Sequence, residues 1–180
     1  MSSYETTREK YKPSAIKALL IAESPPPAAD VIASSRQFYR TEHAYPDDRL
    51  FINTIRALYP ETMDMSIQEL ESAKEHWLRR FQADGWYMIE ALADSQPHEA
   101  TKKQRQERVR EQLPRLIARV SELAGPKTKI MLIKSNVFIV AAEPLRHAGF
   151  TVLNTALLDY PGRFNQRAYR EKLANYQKRI

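Results

Sequence analysis

The side chains best suited to chemistry follow apolar runs of the chain, at the points where those runs end. Glu23 comes directly after the first run, and Glu90 comes directly after the second. A carboxylate at such a point can orient or activate water, and burying it without a partner is costly. Glu23 and Glu90 are therefore the candidate catalytic residues. The alternatives are a simple strand exit at Glu23 and an exposed loop residue at Glu90.

The segments after the third and fourth runs suit an anionic ligand. Lys134 and Ser135 follow the third run, and a helix N-terminus beside a lysine attracts anions, although Ser135 can also serve only as a helix cap. The fourth run leads through Pro161 and Gly162 into a basic helix, where a phosphate backbone or a plain surface turn is possible. The candidate ligand-binding residues are Ser24, Pro25 and Ser135, and the candidate nucleic-acid contacts are Lys134, Arg163, Asn165 and Arg167.

Two further segments have a functional and an ordinary interpretation. Phe38 and Tyr39 could stack against a base, although an aromatic pair beside apolar residues is more often part of a core. The basic run at residues 102–108 could contact phosphates, but a solvated helix face is the simpler interpretation.

The apolar runs predict the elements that must position these side chains. Buried strands are predicted at residues 17–22, 86–89, 129–133 and 150–153. Helices are predicted at residues 47–59, 66–81, 109–123, 136–148 and 164–176. We expect a helix break near Pro114, a bend near Pro144 and a helix stop at Gly149. Alternating strands and helices predict an α/β fold, in which a parallel sheet of about four strands has helices on both sides.

Composition limits the possible classes of protein. The chain has 180 residues, 43% of them hydrophobic, so we expect one domain over residues 1–180, with residues 1–14 as a less ordered arm. The absence of cysteine excludes disulfides, thiolate metal sites and iron–sulfur clusters. The four histidines are scattered, so we expect no metal and no cofactor. No apolar stretch suits a membrane span or a secretory signal, and we expect a cytoplasmic protein without a membrane partner.

The net charge of +6 is distributed unevenly along the chain. Residues 20–100 hold 14 acidic and seven basic side chains, whereas residues 101–180 hold six acidic and 17 basic side chains. This asymmetry suggests a polyanionic partner for the second half, although solvated basic helices are an equally plausible explanation.

The order of these segments resembles that of the uracil-DNA glycosylase-like superfamily. Residues 19–26 (Leu-Leu-Ile-Ala-Glu-Ser-Pro-Pro) resemble its first motif, in which a strand enters a Gly-(Gln/Glu)-(Asp/Ala/Asn)-Pro loop. Residues 85–90 are similar to the strand that ends in the base-recognising Asn, and residues 130–135 occupy the third-strand position. Residues 159–162 resemble the second signature, His-Pro-Ser. The resemblance covers roughly residues 15–175 and implies a three-layer α/β/α sandwich with strand order 2-1-3-4.

Three positions depart from the pattern of that superfamily. Ser24 stands where active members commonly have an Asp that positions the attacking water. Tyr160 stands where a His stabilises the departing base, which makes Tyr160 a candidate substrate-binding residue. Glu90 replaces the base-reading Asn, and its carboxylate suits a base that presents donors better than it suits uracil. Hydrolysis of an N-glycosidic bond would then require Glu23 or Glu90 to orient the water.

Three functions remain open. The first is a divergent DNA glycosylase that extrudes a modified base and stacks it against Phe38 or Tyr39. The second is a relative that binds nucleic acid or a nucleotide without catalysis. The third is an unrelated small-molecule or partner function on the same fold. We expect the partner to be nucleic acid, and DNA in particular, or a nucleotide-like ligand.

Overall fold

The sheet consists of four parallel strands. A computed structural model describes residues 3–25, 37–41, 48–95, 97 and 99–180. The strands are β1 (Ala18–Ala22), β2 (Trp86–Glu90), β3 (Lys129–Leu132) and β4 (Thr151–Val152). Their order is β2-β1-β3-β4, with Leu19 aligned to Tyr87 on one side and to Ile130 on the other. The predicted parallel sheet and its strand order are confirmed, and β1 and β2 are fully buried as predicted. Strand β3 is buried except at Lys129, whereas β4 is shorter than predicted and its Thr151 is exposed.

Helices connect the strands and cover both faces of the sheet. They are α1 (Ser3–Glu9), α2 (Arg49–Leu58), α3 (Ile67–Ser72), α4 (Lys74–Ala83), α5 (Lys102–Glu111), α6 (Leu113–Leu123), α7 (Ser135–His147) and α8 (Gln166–Gln177). Helix α8 packs against α2, and α5 packs against α7. Right-handed crossovers place the helices between β1 and β2 on one face and those between β2, β3 and β4 on the other. This arrangement is consistent with a three-layer sandwich.

The helix boundaries follow from local chemistry. The Ser66 hydroxyl accepts from the Glu69 backbone N–H at 3.2 Å, and the Glu69 carboxylate accepts from the Ser66 N–H at 2.7 Å, which confirms the predicted capping box. The single helix predicted at 66–81 is instead divided at Ala73 into α3 and α4. The division lies directly before Lys74, whose side chain turns into the interior.

Proline and glycine mark three further boundaries. The break near Pro114 is confirmed, because α5 ends at Glu111 and Pro114 lies in the first turn of α6. Helix α7 runs through Pro144 without interruption. Gly149 follows the end of α7 with φ +91°, the left-handed conformation that stops a helix. Of the described helices, none has both the length and the apolar character that crossing a membrane requires.

The N-terminal segment packs on the domain, so the prediction of a less ordered arm is wrong for residues 3–14. Helix α1 brings Arg8 to a buried position, and Tyr11 is fully buried and stacks on Tyr39 at a ring separation of 5.8 Å. The Tyr87 hydroxyl donates to Glu9 at 2.9 Å. The segment is polar in sequence, and contacts with residues distant in the chain, Tyr39 and Tyr87, hold it against the domain.

A buried ion pair connects three segments that lie between β1 and β2 in the chain: the start of α2, the start of α4 and the segment at Gln37. Asp48 caps α2 by accepting from the Phe51 N–H at 3.1 Å, and its second oxygen accepts from Lys74 at 2.8 Å. Lys74 also donates to the Gln37 carbonyl at 3.2 Å. Because only 1% of Lys74 is exposed, water contributes little to either charge, and each charge depends on the other.

We predict that Lys74→Met destabilises the protein by about 3–5 kcal/mol, because Asp48 then remains buried without its cation. Urea unfolding followed by circular dichroism measures the change. The matched control is Lys10→Met, which removes the exposed partner of Glu75 and should leave the unfolding midpoint unchanged. Equal shifts for the two variants would show that the buried pair is not the dominant contact.

Candidate functional site

The strand order reverses between β1 and β3, and in open parallel sheets such a reversal leaves a crevice at the carboxyl ends of the two strands. The chain leaves β1 toward β2 on one side, and the next crossover carries it back to β3 on the other side. In open parallel sheets, ligands bind at such a reversal, outside the carboxyl ends of the strands. Glu23 follows β1 there, and Lys134, Ser135 and Asn136 follow β3.

Four side chains from three elements meet in this crevice and are called the Glu23 cluster: Glu23, Arg105, Lys134 and Asn136. Asn136 donates to Glu23 Oε1 at 2.7 Å, and the Lys134 ammonium contacts Glu23 Oε2. The Arg105 guanidinium lies 3.5 Å from the same oxygen. Only 4% of Glu23 is exposed, so these contacts replace the hydration that its charge loses on burial.

Backbone pairing beyond β3 fixes the position of the cluster. Ile133 donates to the Ile21 carbonyl at 2.8 Å and forms a bridge with Leu158. The Lys134 N–H then donates to the Leu158 carbonyl at 2.8 Å. The chain therefore carries Lys134 past the end of β1 before α7 begins, which brings its ammonium to Glu23.

The two polar groups of the Asn136 side chain differ in their hydrogen bonding. Because a carboxylate only accepts, the NH₂ group of Asn136 must face Glu23, and its Oδ1 atom points away. This oxygen is buried and has no hydrogen-bond partner within the part of the chain that the structure describes. Buried acceptors are rarely left unpaired, so Oδ1 is suited to accept from a ligand N–H or O–H.

Glu90 is held by a different cation. Arg8 lies 3.1 Å from Glu90 Oε2, and both side chains are more than nine-tenths buried. Arg119 donates to the Glu90 carbonyl. Burial lowers the pKa of Arg119 below the ordinary arginine value, and the neighbouring Arg8 charge lowers it further. The described contacts thus make Glu90 a member of a buried ion pair that anchors α1.

Phe38 and Tyr39 are core residues, so their predicted role in stacking a ligand base is wrong for this arrangement. Both rings are buried, and Phe38 packs against Phe51 and Phe81. The Tyr39 hydroxyl accepts from the Met88 N–H at 2.7 Å. Because β2 is an edge strand, this bond satisfies a backbone donor that no neighbouring strand reaches.

The remaining predicted ligand contacts lie on the same edge of the sheet. Ser24 and Pro25 are half-buried beside Glu23, and Ser135 is the half-buried first residue of α7. Tyr160 is 42% exposed in the loop that follows β4. It lies two residues after Leu158, whose carbonyl accepts from the Lys134 N–H. The crevice therefore brings together the loops after β1 and β3, with the loop after β4 beside them.

An exposed aromatic ring stands among the predicted nucleic-acid contacts. Phe164 is 89% exposed, so its predicted place in the apolar stripe of α8 is wrong. The Arg163 guanidinium lies 5.7 Å from the centre of this ring, within the range of a cation–π contact. Asn165 is the N-cap of α8, and Arg167 is exposed and donates to Glu171 at 2.7 Å.

Three helix starts at this edge carry basic residues. Helices α5, α7 and α8, which follow β2, β3 and β4, have no acidic residue in their first turns, a feature that they share with α2 and α6. They begin instead at or beside basic residues: Lys102 and Lys103, Lys134, and Arg163 and Arg167. Acidic side chains normally stabilise a helix start, as Glu69 and Glu75 do in α3 and α4. The carboxyl edge therefore combines helix dipoles with cations.

Arg105 and Asn136 of the Glu23 cluster, and Arg8 beside Glu90, have other predicted places in the sequence. The basic run at residues 102–108 predicts a solvated face for Arg105, although one side of α5 packs on α7, and an arm is predicted for the segment that contains the buried Arg8. For Asn136 the sequence predicts only the start of a helix. Its position after the third strand, opposite Glu23, is the one signal that could have identified it.

Comparison of the chain with protein-family models, with curated proteins and with solved structures found no match. Within the described ranges, no three His, Asp or Glu side chains form a group that could hold a metal ion. The Glu23 cluster itself consists of a buried carboxylate, an amide and two cations.

We predict that Arg8→Met lowers the unfolding free energy by about 3–5 kcal/mol, because Glu90 loses its ion-pair partner. Adding Glu90→Gln to this variant should recover at least about 1 kcal/mol, since an uncharged amide costs less to bury. Urea unfolding of the two single variants and the double variant gives the coupling. Strictly additive losses would contradict an ion pair between Arg8 and Glu90.

Proposed function

We propose that the protein binds nucleic acid across the carboxyl edge of its sheet and hydrolyses the N-glycosidic bond of one extruded base at the Glu23 cluster. It would then be a divergent member of the uracil-DNA glycosylase-like superfamily. The parallel sheet with order 2-1-3-4 supports this proposal, because it agrees with the order that the sequence resemblance implies.

The charge of the helix starts is the observation that carries the proposal. Cations at a helix N-terminus oppose the helix dipole, and an anionic ligand would offset this cost at α5, α7 and α8, where Lys134 also pairs with Glu23 and Arg167 with Glu171. A nucleic-acid backbone presents phosphates in series, so it can meet several helix starts at once. The edge therefore suits an extended polyanion.

The exposed ring of Phe164 adds an interaction that phosphates alone do not require. An aromatic side chain that is almost fully exposed loses the benefit of burial, and it gains that benefit when a base stacks against it. Arg163 beside the ring can contact a phosphate of the same strand. Together they favour a nucleic acid over an acidic protein.

The Glu23 cluster supplies what an extruded base requires. Asn136 Oδ1 can accept from an N–H of the base, and the Glu23 carboxylate can orient a water molecule toward the sugar. Ser24 has no charge and serves here only as a polar neighbour. Glu90, held by Arg8, is a poor candidate for either step.

A second candidate function is binding without hydrolysis. One observation favours it: both carboxylate oxygens of Glu23 are engaged, Oε1 by Asn136 and Oε2 by Lys134. A carboxylate with both oxygens engaged has less capacity to accept a hydrogen bond from an attacking water molecule.

We predict that Arg163→Ala flattens the salt dependence of DNA binding by about one unit of slope, because one phosphate contact is lost. Phe164→Ala should weaken binding by about 1–3 kcal/mol with an unchanged slope, because stacking releases no counterions. Fluorescence anisotropy of a labelled duplex and a labelled single strand, over a series of salt concentrations, measures both effects.

Lys17→Ala is the matched control for the binding measurements. Lys17 is exposed but precedes β1, so it lies at the opposite edge of the sheet. Its removal should leave both the affinity and the slope unchanged. If Lys17→Ala flattened the slope as much as Arg163→Ala does, the carboxyl edge would not be the binding surface.

We predict that the native protein releases a base from at least one duplex in a panel carrying uracil, hypoxanthine, xanthine or alkylated bases. Abasic sites are scored by alkaline cleavage. Glu23→Gln should slow release by about 10²–10⁴-fold, whereas Glu90→Gln should act mainly on stability. Binding without release across the panel would favour the second candidate, and loss of release with Glu90→Gln alone would place the chemistry at Glu90.

A further inference from the structure

Lys134 has a backbone conformation that is unfavourable for a lysine. Its φ is +79°, and it is the one non-glycine residue with positive φ in the part of the chain that the structure describes. Glycine adopts such a conformation without strain, because it has no β carbon. A strained residue at the edge of a crevice, in place of glycine, points to a requirement for its side chain.

The surrounding bonds show why the conformation is needed. The Lys134 N–H donates to the Leu158 carbonyl at 2.8 Å, as an extension of the sheet. The Lys134 carbonyl then accepts from the Phe138 N–H at 3.1 Å, as the first bond of α7. The chain must turn from strand to helix within this residue, and the positive φ achieves that turn.

The side chain at this turn reaches the functional carboxylate. The Lys134 ammonium contacts Glu23 Oε2, yet 37% of the side chain is exposed, whereas Glu23 is almost fully buried. Lys134 thus forms the outer part of the cluster, between Glu23 and the open crevice. A ligand that enters the crevice meets this cation before it meets the carboxylate.

We propose that Lys134 is the residue that stabilises the departing base, by donating a proton to it as the N-glycosidic bond breaks. This inference rests on the proposed function. Tyr160 stands at the position of the superfamily His and has no positive charge, so stabilisation of the departing base is assigned to Lys134 instead. Lys134 has both the charge to attract a developing anion and a proton to give.

The contact between Lys134 and Glu23 completes the proton balance. The bond between C1′ and the base nitrogen breaks, its electron pair stays on that nitrogen, and the nitrogen takes a proton from Lys134. Water attacks C1′ and gives its proton to Glu23. Because Glu23 Oε2 touches the lysine nitrogen, the proton returns from Glu23 to Lys134, and both groups regain their initial states.

Asn136 and Arg105 keep Glu23 in place during this cycle. Asn136 holds Oε1 at 2.7 Å, and Arg105 lies 3.5 Å from Oε2. The carboxylate therefore stays oriented and paired while Lys134 engages the base. Asn136 and Arg105 are positioning residues, and only Lys134 and Glu23 exchange protons.

Comparison of Lys134→Gly with Lys134→Ala tests the premise of strain. Both variants lose the ammonium, so they differ only in the side chain that must adopt φ +79°. The glycine variant should melt about 2–4 °C above the alanine variant, as measured by differential scanning calorimetry. A glycine variant no more stable than the alanine variant would overturn the inference.

The rate of base release tests the role. In single-turnover assays on the duplex that the native protein cleaves best, Lys134→Gly should be about 10²-fold slower or more, with duplex binding changed only a few-fold. Added methylammonium should restore part of the rate to Lys134→Gly, an effect that a purely structural role would not produce. Lys134→Arg keeps the charge but does not readily lose a proton, so its rate should lie between the rates of the native protein and of Lys134→Gly.

The outcomes separate the inference from the function on which it rests. A Lys134→Gly rate within a few-fold of native, or no rescue by methylammonium, overturns the role of Lys134 and leaves the proposed function standing. No release by the native protein from any duplex overturns the hydrolytic function, and the role of Lys134 fails with it.

Discussion

The burial of one negative charge at the strand-order reversal governs the rest of the site. Glu23 has almost no contact with water, so its carboxylate is compatible with folding only if donors surround it. Those donors come from α5, from the end of β3 and from the first turn of α7. The requirement to neutralise Glu23 therefore brings together α5, the end of β3 and the first turn of α7, and it places an amide and two cations at the position where open parallel sheets bind ligands.

Glu23 and Glu90 show why two similar positions have different consequences. Each carboxylate lies at the carboxyl end of a strand, and the sequence does not distinguish them. Glu90 belongs to an edge strand, where α1 supplies Arg8 and closes the position. Glu23 follows an inner strand, whose end opens onto the crevice between β1 and β3. The position of a strand in the sheet, which depends on the whole topology, thus separates the carboxylate that anchors α1 from the carboxylate that lies at the strand-order reversal.

Local patterns were sufficient to predict the sheet, since its apolar runs and helical spacing are encoded over a few residues. The Ser66 capping box and the stop at Gly149 follow from equally local chemistry. Contacts between distant segments were not predictable in this way. Arg105 has the same composition around it as its solvated neighbours, and only the packing of α5 on α7 directs it inward. The buried Tyr39 hydroxyl accepts from the backbone N–H of Met88 in the edge strand β2, and no short sequence pattern predicts this contact.

The ion pairs at the starts of α2 and α7 differ in the sign of the charge that lies nearest to the helix dipole. Asp48 caps α2 and is neutralised by Lys74, so the negative charge lies at the helix start, where the dipole favours it. At α7 the cation of Lys134 takes that place, in a backbone conformation that costs further stability. A fold selected for stability alone would have glycine or an acidic cap at this position. The departure is explained if Lys134 serves a bound anionic group in addition to Glu23, the carboxylate that already lies beside this helix start.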